Sequence, residues 1–230
     1  MKLACLLGKF NRETIRLKLR NRLWLPLTRS IRIKKLSVDC FTIISNNCWG
    51  GTVYESYGMR KESPTIGMFI MPSDFVRFCS DLDHYLAQPL QFISPKDSKW
   101  ESTLCANDNW GQYLIGRIDD VELHMLHHHD ETIARRKWED RVRRVCHDRL
   151  IFKFNDQNGA TEDDLRAFDL LPLEHKLIFA AKDHPGIKCC KRIHCPRTCE
   201  YIPASWEPFG ANRSFNVTDY LNDCFGNSKL

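Results

Sequence analysis

The sequence predicts an α/β fold built on a doubly wound sheet, and three observations carry that prediction. Short apolar runs rich in β-branched and aromatic residues recur at 41–44, 65–70, 150–154 and 176–181. Such runs, bounded by turn residues, read as strands buried on both faces. Between them lie segments with helical apolar spacing, such as Phe75, Phe78, Cys79, Leu82 and Leu86. The strand–helix alternation from 38 to 181 is the pattern of parallel strands joined by helical crossovers.

A chain of 230 residues, 43% apolar and 27% charged, is long enough for one sizeable core. Its net charge of +5 is uneven: residues 1–36 hold eleven of the 34 Lys/Arg and one of the 29 Asp/Glu. The expected organisation is a basic N-terminal arm over 1–36, an α/β core domain over 37–182 and a Cys-rich extension over 183–230 docked on the core. No run approaches the ~20 apolar residues of a membrane-spanning helix or the ~7–15 of a signal-peptide core. A cytoplasmic location is expected, with the eleven cysteines serving mostly as thiols or metal ligands.

Taken in order, the arm lacks glycine over 9–29 and predicts a helix to about Leu25. Its apolar residues form two stripes, Ile15/Leu19/Leu23 and Phe10/Leu17/Trp24, with Arg12, Arg16 and Arg20 on one face. Peripheral anchoring on an anionic membrane surface is one reading; packing on a neighbour or nonspecific nucleic-acid binding is the other. Specific nucleic-acid recognition is not expected, because aromatics do not interleave the basic residues and no binding motif follows.

The first strand leads into Ser45, Asn46, Asn47, Cys48, Trp49, Gly50 and Gly51, at the strand end where α/β proteins bind ligands. Asn46 and Asn47 offer donors and acceptors without the desolvation penalty of a charge. Gly50 and Gly51 allow close backbone approach, and Trp49 supplies a flat wall. A tight turn in which the Asn side chains bond their own backbone is the competing reading. Cys48 is a candidate nucleophile if a histidine lies within reach, and otherwise a packed thiol. Ser63-Pro64-Thr65 sets an extended entry to the second strand, with hydroxyls near the same site.

Pro72-Ser73 then opens a helix with Ser73 as candidate N-cap. Residues 90–120 are turn-rich, and Trp100, Trp110 and Tyr113 there suit either sugar stacking or packing. Residues 121–129 predict a strand on which His127 and His129 share a face, as a general base, as a metal pair or simply as polar surface residues. The helix predicted over 131–147 packs Ala134, Trp138, Val142 and Val145. Arg141 and Arg144 at its border could grip a carboxylate or phosphate, or form structural salt bridges. Thr161 and Asp164 have capping-box spacing. In the tail, Cys190, His194, Cys195 and Cys199 approach the spacing of a structural zinc site, and a short helix near 217–221 is expected to dock the terminus.

ISNNCWGG, Tyr54, SPTIGMFI, Asp74-Phe75, Lys137-Trp138 with Arg141 and Arg144, LIFKFND and TEDDLRAF together resemble an uncharacterised bacterial family commonly labelled exopolysaccharide or capsule biosynthesis protein. The resemblance spans roughly 38–182. It implies a three-layer α/β/α sandwich with a mostly parallel or mixed sheet, and a pathway without a reaction. The sequence departs at HMLHHHDE, where His128-His129 replaces the family's His-Tyr pair.

The expected function is a cytoplasmic transferase of a sugar, acyl or phospho-substituent, acting on a saccharide or activated donor. The alternative is a non-catalytic assembly protein held at the inner membrane face by its arm. No GxGxxG, P-loop, GxSxG or DxD motif is present, so no organic cofactor is assigned.

Overall fold

The computed structural model describes residues 12–107 and 109–226; Phe10 of the second predicted stripe lies outside them. Four parallel strands form one sheet: β1 (Thr42–Ser45), β6 (Leu150–Asn155), β7 (Lys176–Ala180) and β8 (Cys190–Arg192), in the order β1-β6-β7-β8. Four more form an antiparallel sheet: β2 (Phe69–Ile70), β3 (Gln91–Ile93), β4 (Leu114–Ile118) and β5 (Val121–Met125), in the order β2-β5-β4-β3. One backbone hydrogen bond, Ile70 N–H to Asn46 O at 3.0 Å, joins β2 to the end of β1.

The α/β class holds, and helices cover both faces of the parallel sheet. Alternation on its strands divides two cores, as a period of two requires. Ile43, Ile151, Leu177 and Phe179 pack with α4 (Trp49–Tyr57) and α10 (Val217–Phe225). Ile44, Phe152, Phe154 and Ile178 pack with α5 (Pro72–Ser80), α6 (Leu82–Ala87) and α9 (Glu162–Leu170), while the short α7 (Glu101–Leu104) follows β3. That second core continues into Leu123 and Met125 of β5 and Trp138 of α8 (Glu131–Val142), so one apolar layer serves both sheets.

Several local expectations are met and others corrected. Both capping-box bonds of α9 are present between Thr161 and Asp164. Of 65–70 only Phe69–Ile70 is strand, because 64–67 forms a turn closed on the left-handed Gly67. Pro72 itself begins α5, with Met71 rather than Ser73 at its N-cap. β5 ends at Met125, and His128 N–H closes a turn on Met125 O at 3.0 Å. His127 and His129 therefore do not share a strand face.

The arm is helical from Arg12 to Lys35, as α1 (Arg12–Leu19), a π turn (Arg20–Trp24), α2 (Leu25–Leu27) and α3 (Arg29–Lys35). It packs on the body through arginines. Arg20 donates to Ala204 O at 2.7 Å, Arg29 to Glu55 O at 3.0 Å and Arg32 to Ser56 O at 3.0 Å. Arg29 and Arg32 thus place cations on carbonyls of the last turn of α4, where the helix end favours positive charge. The C-terminal extension adds β8 to the sheet and Ile202, Val217, Leu221 and Phe225 to the core. Cys40 is bonded to Cys146, and eight other described cysteines are free.

Candidate functional site

A cleft of about 960 Å³ opens beyond the carboxyl end of β1. Its floor is the loop into α4 and the strand-end residues beside it. Its walls are the arm (Leu17, Arg20, Asn21), the 104–113 loop, and the turn and helix carrying His127, His128, Lys137 and Arg141.

The floor is a closed polar network. Lys153, on β6 in the register of Ser45, is fully buried and ion-pairs with the Glu207 carboxylate. Asn47 Oδ1 accepts from Lys153 Nζ at 3.1 Å, and Asn47 Nδ2 donates to both Glu207 oxygens at 3.1 and 3.0 Å. Asn155 Nδ2 donates to Glu207 at 3.0 Å, while its Oδ1 accepts from Asn46 Nδ2 at 2.8 Å. Lys153 Nζ also lies 5.7 Å from the Trp49 ring centroid and 5.5 Å from that of Phe179. Burial lowers the Lys153 pKa, and the Glu207 charge opposes that shift. Hydrogen bonding on this scale is what a buried ion pair needs to offset its desolvation.

The same bonding corrects much of the predicted substrate set. Ser45, Ser63 and Thr65 are fully or almost fully buried and do not line the cleft. Ser45 Oγ donates to Asn47 O at 2.7 Å, and Thr65 Oγ1 accepts from Ser45 N–H at 3.2 Å and lies 3.1 Å from Ser63 Oγ. These hydroxyls tie the end of β1 to the 63–65 turn. Asn46 is wholly buried, its Oδ1 without a described partner. Asn47 reaches the cleft, yet its Oδ1 also accepts from Trp49 N–H at 3.1 Å, the local bond of the competing reading. Trp49 is buried with Nε1 donating to Pro208 O at 2.6 Å.

Gly50 and Gly51 have negative φ and lie in the first turn of α4. A Cβ on Gly50 would sit 3.2 Å from Ile43 Cγ2, and one on Gly51 3.1 Å from Ile66 Cγ2. Both let the helix lie close on its neighbours rather than admit a ligand; only Gly51 lines the cleft.

Cys48 lines the cleft, but its thiol points at Met68 O, 3.8 Å away. Burial, with Glu207 adding, pushes its pKa up to about 11. A nucleophilic cysteine needs the opposite shift, and the packed-thiol reading fits.

The second wall is different in kind. Arg141 donates to Ile66 O at 2.9 Å, and the His128 ring bonds the same carbonyl. Burial, reinforced by Lys137 and Arg141, lowers the His128 pKa to about 4, so its ring is neutral at pH 7. His127 is exposed at the mouth. Among the described residues no carboxylate pairs with Lys137 or Arg141. His129 lies outside the cleft, Nδ1 3.2 Å from Gln112 O, and Arg144 pairs with Glu62 at 2.8 Å. Tyr113 lines the cleft, whereas Trp100 is anchored by Nε1 to the buried Asp74 carboxylate at 2.9 Å.

The tail cluster does not converge: among the described residues no three His, Cys, Asp or Glu side chains are placed to share a metal ion. Cys190 opens β8, and Ile193 N–H continues the extended pairing to Ala180 O at 2.8 Å. Four residues of extended chain span ~13 Å, which carries His194 beyond an ion held by Cys190. The His194 ring instead meets Trp206 edge-on at 6.4 Å, and the free Cys195 and Cys199 thiols share a hydrogen bond.

Sequence reasoning passed over Lys153, Asn155, Gln157 and Glu207 of the floor and Lys137 of the wall, and among the 124–129 histidines it singled out His127 and His129 rather than the buried His128. Lys153 left one sign: a lysine inside an apolar strand, in phase with Ile151 and Asn155. Glu207 left none, being 54 residues from Lys153.

An uncharacterized protein of Haemophilus influenzae (strain ATCC 51907 / DSM 11121 / KW20 / Rd) is 34% identical to this chain over 155 residues, covering 67% of the chain and 68% of that protein. The family model described as domain of unknown function DUF1919 matches residues 21–220, from the arm through α10, and the chain belongs to that family.

Proposed function

We propose that the protein is a transferase of bacterial exopolysaccharide or capsule synthesis, working on the cytoplasmic side, whose cleft takes a diphosphate-bearing donor. The observation that carries this reading is the wall of Lys137 and Arg141, cations without carboxylate partners, facing an open cleft beside a neutral imidazole. Unpaired cations at a concave site favour an anionic ligand, and Arg141 offers a planar fork that matches phosphate oxygens. Diphosphate is common to nucleotide sugars, CoA thioesters and CDP-alcohols, the donors of sugar, acyl and phospho-substituents.

The His128 ring uses one nitrogen on Ile66 O, which leaves a lone pair on the other. That nitrogen accepts the proton of an acceptor hydroxyl as its oxygen attacks the donor, while Lys137 and Arg141 neutralise the departing phosphate or thiolate-bearing group. Tyr113 supplies an aromatic face for a sugar ring. The pathway rests on the resemblance of ISNNCWGG, SPTIG and the Lys137–Arg144 pattern; eight of the ten described cysteines are free, as a reducing compartment favours, the Cys40–Cys146 bond being the exception.

The test is a thermal-shift screen of nucleotide sugars, CoA thioesters and CDP-alcohols. At ~100 times its Kd a donor adds ~2.7 kcal/mol, a shift of several degrees in a chain of this length. A hit lost in Lys137→Ala supports the reading. A flat screen on folded protein contradicts it and favours the assembly role.

A further inference from the structure

The arm is an inverted amphipath. Four of its arginines contact the protein: Arg20 and Arg32 are buried, Arg29 donates to Glu55 O, and Arg16 stacks 3.6 Å over the Trp206 ring. Its large apolar residues face solvent. Ile15, Leu19, Leu23, Leu27 and Ile31 recur every four residues and are 41–71% exposed, with Trp24 and Ile33 beside them. These seven make up most of the large hydrophobics exposed among the described residues; the others, Ile133, Leu170 and Tyr201, are scattered. Single exposed apolar residues need no explanation, but a contiguous stripe does.

The backbone limits how far the stripe winds around the arm. In a straight α-helix an every-fourth pattern drifts by about 40° per step. The wider π turn at Arg20–Trp24 turns the chain the other way and offsets part of that drift.

We propose that this face docks on an anionic lipid surface. The charge argues for that occupant. Residues 14–35 contain no Asp or Glu, and Lys18, Arg22, Lys34 and Lys35 stand exposed along the stripe. An apolar stripe whose charged neighbours over 14–35 are all cations matches acyl chains beneath anionic headgroups. Trp24, among the most exposed of the seven, is the residue type that settles at the headgroup level. Among the described residues no helix is long and apolar enough to cross a membrane, so the contact is peripheral. The docking does not depend on the reading of the cleft. It has one consequence for it: Leu17 and Arg20, on the other side of the same helical run, line the cleft. The cleft would then lie about one helix diameter, ~10 Å, from the lipid.

The experiment is flotation of the full chain with vesicles of mixed phosphatidylglycerol and phosphatidylcholine, and with phosphatidylcholine alone. The protein should float with the anionic vesicles, bind the neutral ones weakly, and come off as salt rises. Leu19→Ser with Leu27→Ser should lower partitioning at least about tenfold while the melting temperature stays within a degree or two, since both side chains are exposed. Three outcomes would overturn the proposal: no flotation with anionic vesicles, flotation indifferent to the double substitution, or a dimer in sedimentation that the double substitution dissociates, which would give the stripe to a second copy.

Discussion

The floor and the far wall of the cleft lie at one strand end and are both polar, yet they behave oppositely. On the floor Lys153, Glu207, Asn47 and Asn155 consume one another's hydrogen bonds, and Lys153 is closed to solvent. On the wall Lys137 and Arg141 have no acidic partner among the described residues, and His128 is held neutral. A dense polar loop is thus no guide to where a ligand binds: saturated bonds make structure, and unpaired charge makes a site. Substitutions should separate the two regions.

The largest effect belongs to the floor. Glu207→Ala leaves the Lys153 ammonium buried and unpaired, and should destabilise by about 3–5 kcal/mol in chemical denaturation. Lys153→Met with Glu207→Leu should recover most of that loss, because a packed apolar pair replaces a buried ion pair at little net change. If the double variant is as unstable as the single, the network holds the fold by more than charge compensation.

A somewhat smaller effect lies between the regions. His124 is wholly buried on β5, stacked 4.5 Å from the Phe69 ring centroid, and neither ring nitrogen has a described partner. Burial holds its pKa down to about 4, from 6.5 in the open chain. Between these values the unfolded state binds more protons, so stability rises with pH across that window and is lost as pH falls from 6.5 to 4. His124→Phe should flatten that slope, an effect on the order of 3 kcal/mol, without harm at pH 7. His128 contributes in the same direction. An unchanged slope in the variant would assign the pH dependence elsewhere.

Asn47→Ala removes the partner of Lys153, Glu207 and Trp49 N–H together, and should lower stability by about 1–3 kcal/mol. Lys137→Ala should change stability by less than about 0.5 kcal/mol, as for an exposed unpaired side chain. A stability loss at Lys137 comparable to that at Asn47 would erase the distinction between floor and wall.

How much was legible in the sequence follows the same division. The α/β class, β1, β6 and β7, and the Thr161–Asp164 cap were readable, because short-range periodicity and local bonding dictate them. Of the second sheet, β5 and the end of the 65–70 run were readable as strands, but their assembly with β4 and β3 into an antiparallel sheet was not. β2 is two residues long, and the β4–β5 hairpin turns on Asp119 at φ 52°, a left-handed position no glycine marks. The 45–51 loop drew attention for its residue types, yet its partners Lys153 and Glu207 arrive from distant segments that no local pattern links. The zinc spacing failed because β8 pulls its first cysteine into an extended chain.

The most direct test is calorimetric titration of inorganic pyrophosphate, the group shared by the proposed donors, into wild type, Lys137→Ala and Asn47→Ala. The account predicts binding to wild type, at least about tenfold weaker binding to Lys137→Ala at unchanged melting temperature, and near-native affinity in a less stable Asn47→Ala. Binding that survives Lys137→Ala and vanishes in Asn47→Ala, or no binding to wild type, would contradict it.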